Sequence, residues 1–278
     1  MTTPLDPQAR RQLESLMAFW SDAGVGASYA AEPVDRMAEG RKRLQAPPRP
    51  APAPVRTAPD PAAAAPGLAP NLALAIGQAE AAAAACDSLE ALAAAIAAFE
   101  GCPLRYAGAS RAVFARGVPG APVMIVGEGP GAEEDAQGAP FVGRAGKLLD
   151  RMIAAAGLTD QVFITNTVFW RPPGNRTPSP QEQAVCAPFL DRAIVLAKPQ
   201  VLLLAGAAAA KSVLKRNEGI LSLRGRWFQW HSEHTEMELP ALPTLHPAFL
   251  LRQPQAKKKA WADLLSLMSR LEPQESSA

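Results

Sequence analysis

The sequence is poor in the residues that would mark a disulfide-bonded, membrane-spanning or strongly charged protein. Its 278 residues include only three cysteines, Cys86, Cys102 and Cys186, too few for a disulfide scaffold. No run of 18 or more apolar residues occurs, so no segment reads as a transmembrane helix. Charged residues make up 19% and the net charge is +2. That mild basic balance permits nucleic-acid binding without arguing for it, so any DNA contact must come from local clusters. The first residues include Asp6 and Glu14 and lack a basic-then-apolar signal pattern. The expectation is a cytoplasmic protein.

What is present falls into segments. Asp6-Pro7 reads as an N-cap with proline at the first helical position. Leu13, Leu16, Met17 and Trp20 then recur with helical spacing, giving a short amphipathic helix. It suits docking, on a partner or on the chain's own body. Residues 47–70 hold nine prolines among alanines, a composition for an extended, disordered linker. Residues 72–98 are alanine-rich, with Leu89, Leu92 and Ile96 at helical spacing, and predict one helix. The division is therefore 1–46 N-terminal helical segment, 47–71 linker, 72–98 helix, 99–272 main domain and 273–278 tail.

From residue 121 short apolar runs alternate with helical stretches. VMIVGE (123–128), VFITNTV (162–168), VLLLAG (201–206) and ALPTLHP (241–247) read as strands, and 143–157, 180–197, 207–215 and 256–272 as helices. The pattern predicts a three-layer α/β/α fold with a four-stranded, mostly parallel central sheet. Sites in such folds lie beyond the carboxyl ends of the strands, where this sequence places Glu128, Asn166 and His246.

Four motifs follow in order: GEGPGAEED (127–135), PFVGRAGKLL (140–149), TNTVFWRPPGNRTPSPQE (165–182) and TLHPAFLLR (244–252). Together they resemble the family 4 uracil-DNA glycosylases, over residues 99 to about 271. The resemblance implies a glycosylase fold and a monofunctional base-excision-repair enzyme that hydrolyses the N-glycosidic bond of deoxyuridine and leaves an abasic site. The partner it implies is uracil-containing DNA.

The residue types suit that chemistry. A base inside a duplex must be flipped into a pocket. Phe141 can supply an aromatic face, in a pocket formed with Gly127 and Gly129. Asn166 offers both a donor and an acceptor for the O4 and N3–H edge of uracil. His246, before Pro247, matches the family histidine that bonds uracil O2 as it becomes anionic. Glu128 and Glu134 are the candidate catalytic carboxylates, with Glu128 favoured. Leu250 and Leu251, expected on an exposed turn, are candidate wedges for the gap left by the flipped base. Arg252, Arg171, Arg176 and the run Lys257-Lys258-Lys259 are candidate phosphate contacts.

The sequence departs from the family at the metal. Family 4 members carry four cysteines for a [4Fe–4S] cluster. Cys102 and Cys186 match two of those positions, while Phe99 and Trp170 replace the others. Two thiolates do not hold such a cluster in the usual way, so no cofactor is expected. Two other readings stand beside the enzyme: a non-catalytic DNA-binding repair scaffold that kept the pocket, and a partner-binding adaptor acting through the N-terminal helix and linker, with residues 1–46 as the candidate partner contact. A monomer is expected.

Overall fold

The computed structural model describes residues 72–271. The expected helix over residues 13–20, the linker at 47–71 and the tail at 273–278 lie outside the described residues.

The apolar runs become strands because they are β-branched and leucine-rich and are buried on both faces. They form β2 (Val123–Gly127), β3 (Val162–Asn166) and β4 (Val201–Ala205), each buried along its whole length. β6 (Glu238–Thr244) completes a parallel core in the order β3-β2-β4-β6. The four-stranded expectation is corrected to six. β1 (Ala115–Gly117) adds antiparallel to β3 at one edge, and β5 (Phe228–His231) adds antiparallel to β6 at the other. Neither edge strand is a continuous apolar run, since both are partly exposed and owe their pairing to the neighbouring strand.

The period of two along the parallel strands separates two cores. Met124, Val126, Phe163, Leu202 and Leu204 face one layer. That layer contains α1 (Leu72–Ala84), α2 (Leu89–Ala98), α5 (Pro180–Ala197) and α6 (Ala207–Leu214). Val123, Ile125, Ile164, Val201 and Leu203 face the other. It is covered by α4 (Arg144–Ala155) and α9 (Lys257–Leu271), through Leu149, Ile153, Leu264 and Leu267. Short helices complete the order: α3 (Ala132–Gln137), α7 (Ile220–Leu223) and α8 (Pro247–Arg252). The three layers agree with expectation.

The single helix expected over 72–98 is two. The break falls at 85–88, where Ser88 takes extended backbone and its hydroxyl accepts from Ala91 N at 3.1 Å. An N-cap of this kind starts a new helix. In α1 the buried residues are Ala75, Ala79 and Ala83, and the helix lies along α5. Small side chains at this spacing allow close backbone approach. Among the described residues, no helix is long and apolar enough to cross a membrane.

Candidate active site

The carboxyl ends of the parallel strands open into one cavity of about 530 Å³, within the range of small-ligand sites. Glu128, Glu134, Phe141, Asn166 and His246 all line it, with Gly129. The loops after β2, β3 and β6 therefore bring together residues separated by up to 118 positions in sequence.

Close packing at the floor explains the glycines. Gly127 pairs with Asn166 across β2 and β3. A Cβ on Gly127 would lie 2.5 Å from both Asn166 Oδ1 and the Phe141 ring. Gly129 is bounded in the same way, with Val168 Cγ2 at 2.8 Å from a Cβ built there. Thr167 ties the two loops together, donating from N to Gly127 O at 2.9 Å and from Oγ1 to Glu128 O at 2.6 Å.

Asn166 is 1% exposed, and its Oδ1 has no hydrogen-bond partner among the described residues. A buried, unpaired amide oxygen is costly unless a ligand completes it. Phe141 has φ +55°, a left-handed backbone seldom adopted by aromatic residues. Its ring lies beside that of His246, with centroids 5.6 Å apart and planes 30° from parallel.

His246 is not the last residue of a strand, as expected, but the N-cap of α8, two residues beyond β6. Its Nδ1 accepts from Ala248 N at 3.1 Å. A ring that accepts at Nδ1 and is neutral carries its hydrogen on Nε2. Burial pushes the imidazole pKa down to about 4; Arg252 adds to the shift, and Glu134 opposes it. The neutral donor form is therefore the resting form at pH 7.

The two carboxylates differ. Glu134 is fully engaged: Oε2 accepts from Gly131 N at 3.1 Å, and Oε1 from Val142 N at 3.0 Å and Gly143 N at 2.9 Å. Glu134 thus holds the loop around Phe141 while it lines the cavity. The Glu128 carboxylate borders the cavity and makes no hydrogen bond or ion pair among the described residues. Sequence reasoning missed Glu133, Arg144 and Asn175, which also line the cavity.

Among the expected DNA contacts the outcome is mixed. The exposed turn at 250–251 is helix α8, and Leu250 is fully buried with Leu245 and Ala260. In this structure it is not presented to DNA. Leu251 is 39% exposed and remains available. Arg252 is exposed and lines the cavity, and Lys257, Lys258 and Lys259 are exposed at the start of α9. Arg171 donates from Nε to Asn175 Oδ1 at 2.6 Å. Arg176 makes a two-pronged bond to Glu182, at 2.8 and 2.6 Å. Burial would raise the Glu182 carboxyl, but Arg176 and the Ser179 amide outweigh it and hold it below its ordinary value. Both arginines thus brace the proline-rich loop that forms one wall.

The implied iron–sulfur cluster can be tested against its four positions. Cys102 and Cys186 are fully buried, with sulfurs 3.9 Å apart. The hydrogen bond between the two thiols and their burial raise Cys186 and lower Cys102, as expected of a thiol pair that shares one hydrogen bond. Phe99 and Trp170 lie in the same apolar core. Phe99 packs edge-on against Phe189 at 5.0 Å, and Trp170 against Phe169 at 6.4 Å. No group of three or more His, Cys, Asp or Glu side chains able to hold a metal exists among the described residues. The residues do not fit the cluster.

Comparison with known proteins agrees with this geometry. The family model of the uracil DNA glycosylase superfamily matches residues 114–265. The type-4 uracil-DNA glycosylase of Sulfurisphaera tokodaii is 42% identical over 155 residues, covering 54% of this chain and 70% of the relative. That of Thermotoga maritima is 39% identical over 153 residues, covering 54% and 77%. That of Pyrobaculum aerophilum is 40% identical over 147 residues, covering 51% and 74%. On the matched span and these identities, the chain belongs to the uracil-DNA glycosylase superfamily.

Proposed function

We propose that this protein excises uracil from DNA by hydrolysing the N-glycosidic bond, leaving an abasic site for base excision repair. The observation that carries the reading is the unpartnered Oδ1 of Asn166, buried in a cavity beside an aromatic ring and a neutral histidine. Uracil presents N3–H to that acceptor. Cytosine presents a bare N3 lone pair there, so acceptor would face acceptor. Phe141 supplies the face on which the flipped base lies. As the glycosidic bond breaks, negative charge gathers on the uracil and positive charge on the sugar. The Nε2–H of His246 donates to O2 of the departing base. A neutral donor suits this role, because it need not surrender a proton to stabilise the anion. Glu128, with its carboxylate unpaired, supports the cationic sugar or aligns the attacking water. No lysine is among the described residues that line the cavity, which argues for hydrolysis without a Schiff base and its strand cleavage.

DNA enters over Arg252, the lysines of α9 and Leu251. The same reading takes the protein as a cytoplasmic monomer, with residues 1–46 offered to a protein partner. A non-catalytic scaffold is the second reading, and the Glu128 carboxylate, unpaired among the described residues and lining the same cavity as the Asn166 acceptor, weighs against it.

The test is an oligonucleotide carrying one uracil, with a thymine oligonucleotide as control. Alkali-labile sites should appear at uracil alone, with no strand breaks before alkali. Asn166→Ala and His246→Ala should each slow excision by about 10²–10³ while remaining folded. Tight binding of uracil-DNA with no excision would favour the scaffold.

A further inference from the structure

Phe141 needs to be held, and the structure shows how. Its left-handed backbone is gripped on two sides. On the amide side, Glu134 takes the N–H groups of Val142 and Gly143. On the carbonyl side stands Arg116, in edge strand β1. Its Nε donates to Pro140 O at 2.7 Å, and its Nη2 donates to Phe141 O at 3.1 Å and to Asp150 Oδ1 at 2.6 Å. Gly146 lets α4 approach the same peptide, for a Cβ there would lie 1.7 Å from the Phe141 carbonyl oxygen. Arg116 does not line the cavity, so it touches no bound base.

We propose that Arg116 is a positioning residue for uracil excision, fixing the Phe141 peptide so that the ring presents its face to the base. The inference rests on the reading of Phe141 as the uracil platform. The guanidinium fork suits the task, because it reaches two successive carbonyls in a fixed geometry while its other edge is tied to α4 through Asp150. Lysine offers a single point charge and cannot span both oxygens. Arg116 acts through the backbone of its target, so its effect on the reaction must pass through the Phe141 side chain.

The experiment uses the full chain as Arg116→Met, Arg116→Lys, Phe141→Ala and the double variant Arg116→Met/Phe141→Ala. The readouts are melting temperature, single-turnover excision of a uracil oligonucleotide, and inhibition by free uracil. A misplaced platform should cost Arg116→Met about ten- to a hundredfold in rate, with a matching loss of inhibition by free uracil. Arg116→Lys should recover part of both. In the Phe141→Ala background, Arg116→Met should change the rate by less than about twofold, since coupled residues do not add. Equal slowing by Arg116→Met in both backgrounds would overturn the proposal. So would a salt dependence of DNA binding that falls by about one phosphate contact. Arg116→Lys keeps the charge and the side-chain stem, so it answers the question even if Arg116→Met does not fold. Wild-type rate and uracil inhibition for Arg116→Lys would also sink the idea. If Phe141→Ala is slow while the Arg116 variants are fast, this inference alone fails. If Phe141→Ala is itself fast, the platform reading falls with it.

Discussion

At the scale of single residues, the site is organised by hydrogen-bond bookkeeping. Glu134 has its acceptors filled, Asn166 has one empty, and His246 has one ring nitrogen committed to a backbone amide. The commitment of His246 has a pH consequence. Its folded pKa, about 4, lies below the ordinary 6.5. The cation is therefore disfavoured in the folded state, and the unfolded chain binds the extra proton first as pH falls. Stability linked to this group is fully present above pH 6.5 and is lost as pH falls from about 6.5 to about 4. The excision rate should show no inflection near pH 6.5 from this ring. A rate profile from pH 5 to 8 checks this, and a drop centred at pH 6.5 that His246→Asn abolishes would contradict the assignment. Melting temperatures over pH 4–7 should also fall less steeply in His246→Asn than in the wild type.

At the scale of elements, α8 shows how adjacent residues divide the work. Leu250 fills the core and Leu251 faces out. Leu250→Ala should destabilise the fold by about 2–5 kcal/mol, as large-to-small core changes do. Leu251→Ala should leave the melting temperature nearly unchanged and weaken uracil-DNA binding or excision. Denaturant melts and excision assays on both variants separate the two roles; similar melts for the pair would contradict the assignment. The sequence did not distinguish these leucines, because the HP motif reads equally as a turn or as an N-cap with proline at the first position. The same ambiguity hid the break before Ser88, where a run of alanines gives no periodic signal to interrupt. β2, β3 and β4 were legible because strands buried on both faces read as nearly continuous apolar runs, broken in β3 only at Thr165 and Asn166. β1 and β5 were not, because edge strands earn their conformation from a neighbour. The glycosylase motifs marked Glu128, Phe141, Asn166 and His246, but Arg116 lies 24 residues before Pro140 and only the folded chain brings them together.

At the scale of the whole molecule, three distant segments meet where relatives of the implied type would hold a cluster. The segment after α2 brings Phe99 and Cys102, the loop after β3 brings Trp170, and α5 brings Cys186 and Phe189. Hydrophobic contact closes this junction. Purified protein should be colourless and contain no stoichiometric iron, and Trp170→Ala should cost about 3–5 kcal/mol of stability. A brown preparation with about four irons per chain, as expected of a [4Fe–4S] protein, would contradict the packing argument. The junction also carries an evolutionary consequence. Coordination is all-or-none, because losing one ligand can forfeit the whole cluster. Apolar contact is graded, so a lineage can exchange one ring for a slightly smaller one and lose only part of the stability at each step. A protein joined in this way is free to drift at Phe99 and Trp170 by tolerable increments, at positions where a metal-bound chain would be frozen.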